Sequence, residues 1–412
     1  MDIIKKVISD YGTPLYLYNE ALIEKKYDIL SGALLPDSKI FYSMKANPLL
    51  GICQVLVQKG CGVEVASKCE MEMAMRSGCR AKNIIFTGPG KTIDELDYAV
   101  KTGIKCINIE SLKEAKIIDA CACKYKTVTD IFIRINPNRL NDGAKIKMSG
   151  VPSQFGIDES QISDTFFSEL NLLKNIRVIG LQIYMGTQIL DASEICINTE
   201  YAINLAMIWK KRFGVTLECL DFGGGFGIPY FPKEHPLDIQ NLKTGMNALF
   251  EKYWQNLEGM ELIFESGRFL VAESGLYIVR VLYDKISRGQ RYIICDGGSN
   301  FFASSAFLGR FVRNNFPMSS IPDSNEKENM TVAGPLCTPT DVIGQCVSLN
   351  KNITAGDYIV IEKSGAYGVT HSPLMFLSHE RPTEVIYNSD GIVRVLRERG
   401  SIKDFLDGQG NV

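Results

Sequence analysis

Lys45 stands in the segment FYSMKAN, directly behind a run of apolar and aromatic residues. An amine at the end of a buried strand can have its pKa lowered by its surroundings and attack a carbonyl group. Further along, residues 223–227 read GGGFG, and glycines let backbone N–H groups close around a phosphate. Glu265-Ser-Gly-Arg268 follows, offering an acid that can hold a protonated ring nitrogen and a guanidinium that can clamp phosphate oxygens. Each signal also has an ordinary reading: a solvated lysine, a tight turn, a surface ion pair. Cys337 in AGPLCTPTD reads, taken alone, as a buried inert thiol, and Tyr367 in SGAYG as a core tyrosine.

The elements that must position these residues decide between the readings. Eight apolar runs read as buried parallel strands: KIFYSM from Lys39, GVEVAS from Gly62, IIFTG from Ile84, CINIE from Cys106, IFIRINP from Ile131, VIGLQIYMG from Val178, LECLDFGGG from Leu217 and ELIFESG from Glu261. The first four start 22 or 23 residues apart, room for one strand, one helix and two short loops. LLGICQVLVQKG, KCEMEMAMRSG and KTIDELDYAVKTG carry helical periodicity and close on glycine. Eight such units predict a (β/α)8 barrel, with an open doubly wound sheet as the alternative. In a barrel, chemistry sits at the C-terminal strand ends. Lys45, Glu64, Gly88, Arg134, Tyr184, the glycine run and Glu265 to Arg268 all fall there, which makes the ordinary readings hard to sustain together.

After about residue 270 the texture changes to strands rich in Val, Ile and Tyr, with NSDG as a hairpin signal. A mostly antiparallel β domain is expected, which the early segment TPLYLYN joins. The domain reading is a barrel over 25–270 and a β domain over 1–24 and 271–412. The polar stretch from Ser319 to Asn329 reads as an exposed loop.

At 412 residues, 45% hydrophobic and with a net charge of −2, the chain suits two globular domains. It offers no electrostatic case for nucleic acid or an anionic membrane. The start, MDIIKKVISDYG, lacks a signal-like apolar core, and no run is long enough to span a bilayer. A cytoplasmic enzyme is expected, and in that compartment the twelve scattered cysteines read as free thiols. Cys121-x-Cys123 has the wrong spacing for zinc, so no metal is expected.

Taken together, FYSMKAN, GVEVASKCE, RINP, GTQ, GGGFG, ESGR, AGPLC and SGAYG resemble the fold-type III decarboxylases that use pyridoxal 5'-phosphate, the group acting on diaminopimelate, ornithine and arginine. The likeness runs from about Gly12 to Val385. It implies an alanine racemase-like barrel and β domain. Lys45 would anchor the cofactor, and Glu265 would hold its ring nitrogen protonated. Arg134 would lie near the ring, steadied by Glu64. Gly224, Gly225, Thr187, Gly267, Arg268 and Tyr367 would bind the phosphate end. Cys337 would come from the second subunit of a homodimer with shared active sites and donate a proton.

NIIFTGPGK, AKIKMSGVPSQFGIDES, IYMGTQ, GGGFGIPYF, AGPLCTPTD and SGAYG are similar to the branch that decarboxylates an L-glutamyl group on an acyl carrier protein. Two departures from the wider family matter. Position 184 usually carries a histidine stacked on the cofactor ring; here Tyr184 can still stack. The residue after Cys337 is usually an acid that recognises a distal amine; here it is Thr338, which cannot pair with a buried ammonium. Asp341 stands nearby as a substitute substrate contact. The alternatives are diaminopimelate decarboxylation, a siderophore-pathway decarboxylase and, from another class, a non-catalytic regulator that has kept the fold.

Overall fold

The computed structural model describes residues 2–138, 146–147, 152–306 and 315–410. Ala144, Lys145 and residues 148–151 of the AKIKMSGVPSQFGIDES motif lie outside the described residues. Contacts divide the chain into two compact units: Glu24–Pro229 with His235–Phe269, and Met1–Ile23 with Tyr230–Glu234 and Leu270–Val412.

The first unit is a closed parallel barrel. Its strands are β1 (Lys39–Ser43), β2 (Gly62–Val65), β3 (Ile84–Phe86), β4 (Cys106–Ile109), β5 (Thr129–Asn136), β6 (Ile176–Ile183), β7 (Cys219–Asp221) and β8 (Glu261–Ser266). They pair in sequence order, and β8 returns to β1, with Glu265 opposite Phe41. This closure excludes the open doubly wound sheet. Phe41, Ile85, Cys106, Phe132, Ile179, Cys219 and Ile263 pack together as a buried layer. Side chains two apart on a strand share a face, so Glu265 follows Ile263 up the same side of β8.

The helices Ile93–Thr102 and Ala192–Phe213 end on glycines with positive φ. The helix Ile93–Thr102 starts with a capping box between Thr92 and Glu95 and stops at Gly103, whose φ is +66°.

The second unit is a mostly antiparallel sheet. Leu15–Asn19 lies between Gly275–Ser287, antiparallel, and Thr383–Tyr387, parallel. NSDG joins Thr383–Tyr387 to Val393–Arg397 as an antiparallel hairpin. A helix over Asp2–Tyr11, not anticipated from sequence, buries Val7 and Ile8 against Leu15, Leu17, Ile278 and Val385. The stretch from Ser319 to Asn329 is not one loop. Its ends belong to the strands Met318–Ile321 and Lys327–Ala333, because Ser320 is buried and pairs with Ile359. Among the described residues no helix is long and apolar enough to cross a membrane.

Candidate active site

Lys45 sits in a single 3-10 turn, Met44–Ala46, immediately after β1. Its Nζ donates to both carboxylate oxygens of Glu64, at 3.1 and 3.0 Å. Glu64 stands one residue before the end of β2 and is 1% exposed, whereas the Lys45 side chain stays 44% exposed. The amine is therefore oriented by a buried anion and remains reachable. It lies 6.0 Å from the centre of the Tyr184 ring.

Arg134, near the end of β5, is not steadied by Glu64 as expected. Its Nη1 donates to Glu110 Oε1 at 2.8 Å, because Glu64 is engaged by Lys45. Glu110 Oε2 accepts the Gly156 N–H at 2.7 Å, and the guanidinium lies 4.8 Å from the Phe155 ring centre. Behind them, Lys91 pairs with Glu114 at 2.7 Å, with its side chain only 1% exposed. Glu114 also accepts the Glu110 N–H at 2.7 Å. The sequence reading missed Glu110 and Lys91, which sit in loops directly after β4 and β3 and so carry the same strand-end signal.

Glu265 is 3% exposed. Gln182 Nε2 donates to it at 3.4 Å, and the buried Asp221 carboxyl hydrogen-bonds it from β7. Burial, then the Glu64 charge, push the Glu265 carboxyl up to about 7. Lys45 and Arg134 pull the other way.

The glycine run packs so tightly that side chains have no room. A Cβ on Gly224 would stand 2.1 Å from the Glu265 carbonyl oxygen, and one on Gly225 2.3 Å from that of Gly186. The GTQ loop is laced to this run. Ile189 N–H donates to the Gly225 carbonyl at 2.8 Å. Gln188 donates to the Ile228 carbonyl at 2.7 Å and accepts its N–H at 3.0 Å. Thr187 is thereby carried beside Gly225. In the ESGR turn, Gly267 lies close against Ser43 and Ala46, where a Cβ would come within 2.8 Å of Ala46 Cβ. That contact sets Arg268 next to the Lys45 turn.

In the second unit, Cys337 is exposed rather than the buried thiol its composition suggests. Thr338 Oγ1 lies 2.9 Å from Thr340 Oγ1. Asp341, expected as a substitute substrate contact, is engaged by its own surroundings. It is 2% exposed, with Oδ1 accepting the Ser299 N–H at 2.7 Å and Oδ2 the Leu336 N–H at 2.8 Å. Its carboxylate is committed to holding the Cys337 loop. Tyr367 is half-buried with φ +54°, its ring edge-on to His371 at 5.8 Å.

Residues 20–272 match the model of the pyridoxal-dependent decarboxylase family's pyridoxal-binding domain. The chain belongs to the pyridoxal-dependent decarboxylases. This decarboxylase is 39% identical, over 97% of its length and 94% of the relative's, to the L-glutamyl-[BtrI acyl-carrier protein] decarboxylase of Niallia circulans. It is 31% identical to the 2-[(L-alanin-3-ylcarbamoyl)methyl]-2-hydroxybutanedioate decarboxylase of Staphylococcus aureus, over 90% of this chain and 93% of that one. Among solved structures, diaminopimelate decarboxylase from M. jannaschii with L-lysine superposes with a TM-score of 0.90 at 27% identity, covering 99% and 94%. The decarboxylase's own barrel fits pyridoxal phosphate. An accessible amine, a glycine cradle without space for Cβ atoms and a buried acid converge at one mouth. The family's cofactor is pyridoxal phosphate, and the enzyme is a carboxy-lyase.

Proposed function

We propose that this decarboxylase removes the α-carboxylate of an L-glutamyl group carried on an acyl carrier protein. The observation that carries this reading is the commitment of Asp341. With its oxygens held by Ser299 and Leu336 N–H groups, and threonine at 338, the Cys337 loop presents hydroxyls instead of an acid. A distal ammonium would go unpaired there, at a cost of several kcal/mol if buried, whereas a neutral carbonyl can accept from Thr338 or Thr340. The similarity to the Niallia circulans enzyme supports the same substrate.

Lys45 would anchor the cofactor, with Glu64 orienting its amine. Glu265 would hold the proton at the ring nitrogen, Tyr184 would face the ring, and Arg134 would stand beside it. Gly224 and Gly225 N–H groups, the Thr187 hydroxyl, the Gly267 turn, Arg268 and Tyr367 would take the phosphate. Pyridoxal phosphate supplies a ring that accepts the electron pair left at Cα when carbon dioxide departs. The Cα–carboxylate bond breaks, and a proton must then reach Cα. In the homodimer that we propose, the partner subunit's Cys337 would give its Sγ proton to that carbon. We place this chemistry in the cytoplasm.

A second reading, decarboxylation of meso-diaminopimelate, is favoured by the likeness to solved diaminopimelate decarboxylases. The test incubates the holoenzyme with meso-diaminopimelate, lysine, ornithine, glutamate and a glutamyl-loaded carrier protein. Mass spectrometry then follows loss of carbon dioxide, with Lys45→Ala as the inactive control. Loss from the loaded carrier protein alone supports the proposal. Loss from diaminopimelate overturns it in favour of the second reading.

A further inference from the structure

Gly223 ties two acids together. Its N–H donates to Asp221 Oδ1 at 2.8 Å, and its carbonyl accepts the Glu265 N–H at 2.7 Å. With φ at +63°, it folds the end of β7 back onto β8. Asp221 is 0% exposed, and its register partners are Gln182 on β6 and Ile263 on β8. Its Oδ2 is buried and takes no N–H or hydroxyl donor among the described residues. What remains within hydrogen-bond reach is the Glu265 carboxyl.

Two buried carboxyl groups in hydrogen-bonding contact cannot both be charged. The groups around the pair decide which one is. Lys45 and Arg134 favour charge on Glu265, and Gln182 donates to it, while the Glu64 carboxylate opposes charge on either acid. Among the described residues Asp221 receives only the Gly223 N–H.

We propose that Asp221 is a positioning residue that keeps its proton and donates it to Glu265, fixing the negative charge on the acid that faces the cofactor ring. This rests on the reading of Glu265 as the partner of the ring nitrogen. The electrostatic directions agree. Burial first, and the Glu265 charge second, hold the Asp221 carboxyl well above the usual carboxylate range. The Asp221 hydrogen bond works to lower that of Glu265.

The test titrates apoprotein with pyridoxal phosphate and follows the absorption spectrum against pH for Asp221→Ala, Asp221→Asn and Glu265→Gln. Asp221→Ala removes the donor. It is expected to weaken cofactor binding about tenfold or more, the scale of a lost charge-assisted hydrogen bond, and to displace the pH at which the spectrum changes. Asp221→Asn places an N–H where the proposal has an O–H, and is expected to restore both. An asparagine variant no better than alanine, or an alanine variant like wild type, overturns the proposal. Glu265→Gln separates the two claims. If it binds and absorbs like wild type, the reading of Glu265 fails. If it is impaired while Asp221→Ala is not, only the role of Asp221 fails. Should Asp221→Ala not fold, difference infrared spectra of wild type against Asp221→Asn decide. Loss of a protonated-carboxyl C=O band is expected, and its persistence in the asparagine variant overturns the proposal.

Discussion

Arg134 and Glu110 form a buried ion pair at the barrel mouth, 2.8 Å apart, with side chains 7% and 6% exposed. Glu110 is the hinge of this arrangement, since its second oxygen holds the Gly156 N–H. Glu110→Ala leaves a buried guanidinium and an amide without their acceptor. A loss of roughly 3–5 kcal/mol of unfolding free energy is expected, the cost of breaking a buried pair from one side. Denaturant unfolding of the apoprotein checks it. A change within error of wild type would mean that Arg134 finds another anion.

Gly224→Ala tests the cradle. Its Cβ would stand 2.1 Å from the backbone oxygen of Glu265, a contact that no rotamer change relieves. The loop must shift, and overpacking of this kind costs about 1–3 kcal/mol. The barrel is expected to fold with a lowered Tm and to bind pyridoxal phosphate poorly. Equilibrium dialysis against the cofactor reads the second effect independently of turnover.

The Glu265 carboxyl gives the apoprotein a pH signature. Its folded value of about 7 exceeds the ordinary 4.5, so between those limits the folded state binds more protons than the unfolded chain. Stability contributed by the protonated acid is fully present below about 4.5 and is lost as pH rises through about 7. The loss amounts to about 3 kcal/mol. Glu265→Gln is expected to flatten this slope in a series of unfolding curves from about pH 4 to about pH 8. An unchanged slope would assign it to other groups.

Asp341→Asn is expected to loosen the Cys337 loop. An amide oxygen can accept from one of the two N–H groups now shared by the carboxylate, and its NH2 faces the other donor. Around it, Gly298 and Gly334 leave no slack, since a Cβ on either would come within 2.4 Å of an Asp341 oxygen. A stability loss of about 2 kcal/mol is expected for one buried donor left unsatisfied. Faster alkylation of Cys337 would accompany it, read by peptide mass spectrometry. Equal alkylation rates in variant and wild type would show that the carboxylate does not hold this loop.

Much of this was legible in the sequence because parallel strands buried on both faces must be apolar throughout. All eight barrel runs, and the residues at their ends, could therefore be read one by one. TPLYLYN and the NSDG hairpin were legible from alternation and turn chemistry. What was not legible depends on contacts between distant positions. Glu64 pairing with Lys45, and Glu110 with Arg134, is a choice between two acids at the ends of β2 and β4 that spacing alone does not make. Asp341 read as a substrate contact because the sequence cannot show that Ser299, some forty residues away, supplies an N–H to it. The N-terminal helix was not legible although Ile3, Ile4, Val7, Ile8 and Tyr11 share one face, because so short a helix is stable only where distant residues such as Ile278 and Val385 receive it.

The Cys337 loop separates its frame from its selectivity. Asp341 and its two glycines make the frame, while among the described residues the Thr338 side chain engages Thr340 alone, through its hydroxyl and its N–H. New side chains at 338 and 340 can therefore be tried without rebuilding the scaffold that carries the thiol. Under the proposed function, substrate range would be modular at those two positions, whereas changes at 298, 334 and 341 must come as a set.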